Sequence, residues 1–279
     1  LNKLIRLSPT GIEYGDCAWN FASGCGNNID GNCKGGGFRC WAYSITRRFP
    51  SHYPNGFKPT IYPEALLSPL YLKKPSRILC AFMGDLFWDC PEFSPDALTG
   101  ITSPLRHDKE LTLREVLWDV MHGSPQHTFL MLTKRPQNLV KFSPFPENCW
   151  VGVSIVGGGF AIPNFITLNA GLGDFYNFEA KIKFISFEPL LYEPTPFAIY
   201  RLTEVMLLRQ VNWVIIGAQT KPYKPPKIEW VREIVEACDK AGIPVFLKNN
   251  LYDLFMNAPH SDLFWEDMSH LRQEMADAR

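Results

Sequence analysis

Six short runs of the chain are apolar almost without interruption, and each ends in polar residues. They are 77–83 (R-I-L-C-A-F-M), 127–132 (H-T-F-L-M-L), 149–153 (C-W-V-G-V), 182–185 (I-K-F-I), 212–216 (N-W-V-I-I) and 243–247 (I-P-V-F-L). Short apolar runs without alternation mark strands covered on both faces, the condition of parallel sheets. Between several of them the spacing becomes helical. Over 228–241, Ile228, Val231, Ile234, Val235 and Cys238 share one face, with Pro225 and Pro226 ahead of it and Gly242 after it. That asymmetry marks a helix start and stop. Residues 111–121 read as another helix, and 41–49 as the first, leaving a cysteine-rich loop. The span 157–179 is glycine-rich and fits no element, while 251–279 reads as helical and amphipathic.

Strands alternating with helices at crossover length imply right-handed βαβ units. With one more strand before Cys25, about six to seven parallel strands are expected. The predicted class is therefore α/β, a partial (β/α) barrel of the TIM type over 1–250 with a helical extension over 251–279. In a parallel barrel the C-terminal strand ends converge on one site. Here those ends carry Asp85, Lys134 and Arg135, Ser154, Glu188, Gln219 and Lys248. The plain alternative is that any buried strand ends in a polar loop, and that Asp85, Lys134 and Glu188 form an ion-pair network without catalytic work.

Charge narrows the partners. Lys and Arg number 28, as do Asp and Glu, so the chain has no general electrostatic grip on nucleic acid, and only a local basic patch can supply one. No apolar run approaches the ~18 residues of a membrane span. The stretch L-N-K-L-I-R-L at 1–7 lacks the apolar core of an export signal, so a cytoplasmic location is expected, and with it reduced thiols. Phosphate-loop, nucleophile-elbow, zincin and dinucleotide fingerprints are absent. His127, at the start of an apolar strand, reads as a structural histidine.

The candidate chemistry lies in 17–49. Four of the eight cysteines fall there, and Cys25, Cys33 and Cys40 share a loop rich in Gly and Asn with almost no apolar residue of its own. Such a loop gains order from a bound metal or cluster. Three thiolates leave one position of a tetrahedral metal, or one iron of a 4Fe–4S cluster, open to a non-protein ligand. A closed zinc site with Cys17 as the fourth ligand is the competing arrangement. The other cysteines, Cys80, Cys90, Cys149 and Cys238, read as small buried hydrophobes, as Cys17 also does outside a zinc site.

The segments D-C-A-W-N (16–20), S-G-C (23–25) and C-W-A (40–42) resemble those of a phage-associated radical S-adenosylmethionine family, formerly a domain of unknown function. That family is distantly similar to spore photoproduct lyase. The resemblance continues through P-E-A-L (63–66), K-K-P-S-R (73–77), M-G-D-L-F (83–87) and L-T-K-R-P (132–136). It extends to V-G-V-S (151–154), F-I-S-F-E-P-L (184–190) and W-V-I-I-G (213–217), covering most of 12–250. Two departures stand out: six residues separate Cys33 from Cys40 where the family has C-x-x-C, and Phe21 replaces a proline.

The resemblance implies a 4Fe–4S cluster on Cys25, Cys33 and Cys40, binding and reductively cleaving S-adenosylmethionine to a 5′-deoxyadenosyl radical. It implies cofactor contacts from Asp85, Lys134, Ser154 and Glu188, and substrate contacts from Arg135, Gln219 and Lys248, with Lys134 and Lys248 as the catalytic candidates. A flavodoxin- or ferredoxin-type one-electron reductant is the implied partner. The implied substrate is a nucleobase or nucleotide, in DNA or RNA repair or modification. Trp41, Phe87 and Trp88 are candidate stacking residues. A peptide or small-metabolite substrate, and a zinc-stabilised barrel that binds nucleic acid or protein without catalysis, are the alternatives.

Overall fold

The structure, a computed structural model, describes residues 7–33, 38–102, 109–156, 176–207, 210–256 and 272–276. The chain is mixed α/β and divides into two compact units. The first comprises Leu1–Cys33, Arg39–Val151 and Asn177–Lys181; the second comprises Lys34–Phe38, Gly152–Tyr176 and Ile182–Arg279.

In the first unit the sheet order is Ser8–Pro9, Cys17–Trp19, Arg77–Cys80, Thr128–Thr133 and then the first half of Cys149–Ser154. Cys17–Trp19 and Thr128–Thr133 both run parallel to Arg77–Cys80. Ile78, Leu79, Phe129 and Leu130 are fully buried, as uninterrupted apolar runs require. The antiparallel edge Ser8–Pro9 was not signalled, being two exposed residues, one of them a proline. An edge is where a sheet tolerates proline.

The helix expected over 111–121 runs from Leu113 to His122. Its start is fixed by Thr112, whose hydroxyl accepts from the Glu115 N–H (3.3 Å) while the Glu115 carboxylate accepts from the Thr112 N–H (2.9 Å). This reciprocal box satisfies two otherwise orphaned donors. Leu111 is thereby left in the strand Glu110–Thr112, paired with Leu98–Thr102.

In the second unit Ile182–Phe187, Trp213–Ile216 and Val245–Leu247 are consecutive and parallel. The helix Ile228–Ala241 has the predicted bounds, and Gly242 closes it in the left-handed region at φ 67°, where glycine carries no steric cost. A further helix, Pro196–Leu207, was not anticipated. Pro196 stands at its first position, where a proline loses no hydrogen bond. Ala198, Leu202 and Met206 form its buried stripe.

The extension expected to be helical over 251–279 is a helix only over Tyr252–Met256 among the described residues. Residues 272–276 are extended instead. The Leu247 N–H donates to Arg272 O (2.7 Å), the Glu274 N–H donates to Val245 O (3.0 Å), and Gln273 bridges Phe246 antiparallel. The open edge of Val245–Leu247 offers unpaired backbone groups that a helix could not satisfy. The glycine-rich reading over 157–179 falls largely outside the described residues. No helix among the described residues is long and apolar enough to cross a membrane.

Candidate functional site

In the first unit the cysteine loop is stitched to the chain that follows the strand Arg77–Cys80. The Gly24 N–H donates to Met83 O (3.2 Å) and the Asp85 N–H donates to Gly24 O (3.3 Å), making a parallel bridge between Gly24 and Gly84. A Cβ on Gly84 would stand 2.2 Å from Gly24 O, and one on Gly24 would stand 2.3 Å from Lys58 O. Gly24 also has φ 91°. Three main chains thus meet with no side chain between them, and Cys25 is delivered beside Asp85. Gly84→Ala is expected to cost about 2–3 kcal/mol, because backbone rather than a flexible side chain must yield. A thermal melt showing no loss would contradict this close approach.

The wide spacing between Cys33 and Cys40 is spanned by backbone pairing on its two sides. Asn32 bridges Arg39 antiparallel, and the Cys40 N–H donates to Gly31 O (2.8 Å). Gly31 and Asn32 are thereby held against Cys40 and Arg39, so the wider spacing need not separate the two sulfurs. Cys33 is buried, while Cys25 and Cys40 are half-buried.

Cys25 Sγ accepts from the Asn27 N–H (3.3 Å), and Cys40 Sγ accepts from the Tyr43 N–H (3.5 Å) as cap of the helix Trp41–Arg48. Burial pushes both thiols up; Asp85 and Cys33 add to this at Cys25, Cys33 adds to it at Cys40, and the Lys134 ammonium opposes it at both. Amide donors and a nearby cation favour a sulfur that carries negative charge, as a metal-bound thiolate does. Among the described residues, no three His, Cys, Asp or Glu side chains already stand in an arrangement that holds a metal ion. The donor set itself suits a thiophilic metal or an iron–sulfur cluster: three soft sulfurs on one loop, two of them receiving N–H groups.

Cys17 belongs to another environment. Its thiol is pushed up to about 11 by burial and by Asp16, and it acts on Cys80, which also feels Cys149. Cys17, Cys80 and Cys149 lie in the sheet core, where cysteine behaves as a small hydrophobe.

Asp85 is buried and fully engaged. Oδ1 accepts from Thr133 Oγ1 (2.7 Å) and the Phe87 N–H (3.1 Å), and Oδ2 accepts from the Lys134 N–H (2.9 Å). Burial pushes its carboxyl above the ordinary range, against these bonds and the Lys134 charge. Its observed work is to tie the end of Thr128–Thr133 to the loop after Arg77–Cys80. Arg135 places its guanidinium 4.4 Å from the Trp88 ring centroid and donates from Nη2 to Asn27 Oδ1 (2.6 Å). Trp88 in turn fills the space where a Gly26 Cβ would lie. Arg135 therefore clamps the segment Cys25–Asn27, and Phe87 packs edge-on against Phe142 (5.0 Å). The cleft beside it, of about 60 Å³, is lined by Trp88, Cys90, Phe93 and Asn138.

In the second unit Lys248 Nζ lies 2.6 Å from Glu188 Oε1, with the two side chains 14% and 17% exposed. Ser186 Oγ donates to Glu188 Oε2 (2.9 Å), and Ser154 Oγ donates to Glu188 O (3.4 Å). The methylene stems of the two side chains pack over Gly217, whose Cβ position is 2.9 Å from Lys248 Cδ and 3.3 Å from Glu188 Cγ. Asn250 exchanges two hydrogen bonds with the Ala218 backbone. Gln219 bonds within its own hairpin, to Pro222 O (2.8 Å). Ser154, Glu188 and Lys248 are thus brought together, and Gln219 is drawn to its local turn. Thr133, Asn27, Ser186 and Asn250 were missed as candidates. Thr133 and Ser186 lie inside the segments L-T-K-R-P and F-I-S-F-E-P-L, one or two residues from chosen positions. His127 is structural, its Nε2 bonded to Leu72 O (2.8 Å).

These features define an α/β protein whose glycine-bound loop presents three cysteines beside a buried aspartate and a lysine. A family model described as "Protein of unknown function (DUF5131)" matches residues 9–253, and the chain belongs to that family. No curated protein and no solved structure matches it.

Proposed function

We propose that this chain is a three-cysteine iron–sulfur enzyme of the radical S-adenosylmethionine type, built on a partial (β/α) barrel and acting on a nucleobase or nucleotide. The reading rests on Cys33 acting on both Cys25 and Cys40 in a loop fixed by the Gly24–Gly84 and Asn32–Arg39 bridges, with N–H groups aimed at two sulfurs. Cys25, Cys33 and Cys40 would hold a 4Fe–4S cluster and would leave one iron open to S-adenosylmethionine. When bound, the cluster supplies the electron for reductive cleavage of that cofactor, drawn from a flavodoxin- or ferredoxin-type donor.

The chain's own residues do the rest. Lys134 sets a positive charge near the sulfurs and is suited to meet a carboxylate. The Arg135–Trp88–Asn27 clamp holds Cys25 and the amide that bonds it. Asp85, with its carboxylate oxygens already occupied, holds the loop in place; Met83 O and Asp85 O accept from the Gly24 and Trp88 N–H groups, which leaves the Gly84 carbonyl as the backbone acceptor. Glu188, Ser154 and Lys248 form a second polar group suited to hydroxyl and amine contacts.

Anaerobic reconstitution tests this reading. About four irons per chain and reductive cleavage of S-adenosylmethionine are expected. A colourless protein with one tight zinc would replace the reading with a zinc-stabilised binding protein. Cys25→Ala, Cys33→Ala and Cys40→Ala should each lose the iron, whereas Cys17→Ala should keep it. Iron lost in Cys17→Ala and kept in Cys33→Ala would move the site away from Cys33.

A further inference from the structure

The charges of this neutral chain are unevenly placed. From Gly31 to Pro63 there is no Asp or Glu, while Lys34, Arg39, Arg47, Arg48 and Lys58 fall in that stretch. The helix Trp41–Arg48 buries Ala42 and Thr46. At 100° per residue this leaves Trp41, Ser44, Arg47 and Arg48 on the opposite face. Arg39, Arg47, Arg48 and Lys58 are exposed, and among the described residues none of them pairs with an acid. Some cations elsewhere are paired, as in Arg77–Asp16, Lys141–Asp89 and Arg272–Asp239; what sets this stretch apart is five cations with no acid among them in sequence.

Aromatic rings stand among these cations. Trp41 is 49% and Phe49 43% exposed. The Arg48 guanidinium lies 5.4 Å from the Phe49 ring centroid, and Phe49 meets His52 edge-on at 6.3 Å. Trp41 and Phe49 lie eight residues apart, about 12 Å along a helix. Burying neither ring leaves apolar surface in water without return inside the unit.

We propose that the outer face of the helix Trp41–Arg48, with Trp41, Arg47, Arg48 and Phe49, together with the exposed cations Arg39 and Lys58 of the chain flanking it, binds single-stranded nucleic acid. Its cations track phosphates, and its two rings stack bases. The proposal rests on the nucleic-acid reading above and extends it from a substrate base to a strand-binding surface. Unpaired arginines interleaved with exposed aromatic rings are the combination that single strands use. A duplex hides its base faces and offers nothing to Trp41 and Phe49. An acidic protein would satisfy the arginines and leave the stacking rings unexplained. Since Cys40 caps the same helix, a bound strand would run beside the cysteine loop.

The test is fluorescence anisotropy of the protein with a labelled twelve-nucleotide DNA strand, at increasing salt. Binding is expected to weaken with a log–log slope of about −3, four phosphate contacts at about 0.7 each. Trp41→Ala should weaken it about tenfold, the scale of one lost base stack. Arg48→Glu should weaken it and flatten the slope, with an unchanged melting temperature in both variants. Three results would overturn the proposal: no binding at low salt, equal binding by the parent and both variants, or preference for an acidic flavodoxin over the oligonucleotide at this face. Iron content of the same preparations tests the cofactor reading separately, and its failure leaves the anisotropy result standing.

Discussion

Lys248→Met should lower the stability of the chain by about 3–5 kcal/mol, the cost of leaving a largely buried carboxylate without its counter-charge. Glu188 and Lys248 are 2.6 Å apart, and both side chains are mostly withdrawn from water. Ser186 Oγ donates to the other carboxylate oxygen, but one neutral hydroxyl does not replace an ammonium. Glu188→Gln combined with Lys248→Met should recover much of the loss, since no buried charge then remains. Urea unfolding of the two single variants and the double variant measures this directly. Additive losses would show that the two groups are solvated independently. Under the proposed function, Lys248→Ala should also abolish product formation while S-adenosylmethionine cleavage continues. That readout must be taken at a temperature where the variant remains folded.

Asp85→Ala should cost about 2–4 kcal/mol and disturb the cysteine loop. Three donors, Thr133 Oγ1 and the Lys134 and Phe87 N–H groups, lose their acceptor, and each buried unsatisfied donor costs about 1–3 kcal/mol. The sum is partly offset because a desolvated carboxylate is removed.

The offset has a pH signature. Burial raises the folded-state pKa of Asp85 above its unfolded value. Its contribution is therefore fully present below the unfolded pKa and is lost as pH rises through the folded one. The parent should lose stability over that acidic window, and Asp85→Ala should not. Identical pH profiles for the two proteins would show that Asp85 keeps an ordinary pKa. With the proposed cofactor, the variant should also bind S-adenosylmethionine poorly. The cause would be displacement of Cys25 and the Met83–Asp85 backbone, since the carboxylate is already occupied by protein donors.

Much of the sheet was legible because burial on two faces leaves a continuous apolar signal. Thr128–Thr133, Cys149–Ser154 and Trp213–Ile216 all lie within a residue or two of runs read from sequence. Ile228–Ala241 was legible at both ends through prolines and a glycine. The elements that escaped depend on long-range pairing or on a local cap. The extended segment 272–276 exists because Val245–Leu247 has an open edge, which no local pattern records. The start of Leu113–His122 depends on the Thr112–Glu115 box, visible in retrospect as T-x-x-E.

At the candidate site the polar strand ends were legible as residues but not as partners. Asp85 was expected to face a ligand, yet its oxygens face Thr133, Phe87 and Lys134. Lys248 was assigned to substrate, and its nearest charge is Glu188. A carboxylate on an apolar strand end must satisfy several lone pairs, and sequence spacing does not say whether protein or ligand will do so.

The meeting of Gly24, Gly84 and the Lys58–Pro59 backbone changes how a saturation scan of this chain should read. At most buried positions tolerance declines gradually with side-chain volume. Where main chain lies against main chain, the first carbon already collides, at 2.2–2.3 Å. Alanine should then score nearly as badly as leucine, and tolerance should fall in one step. Two such steps sixty residues apart, at 24 and 84, would locate this junction from growth or abundance data alone, before any ligand is known.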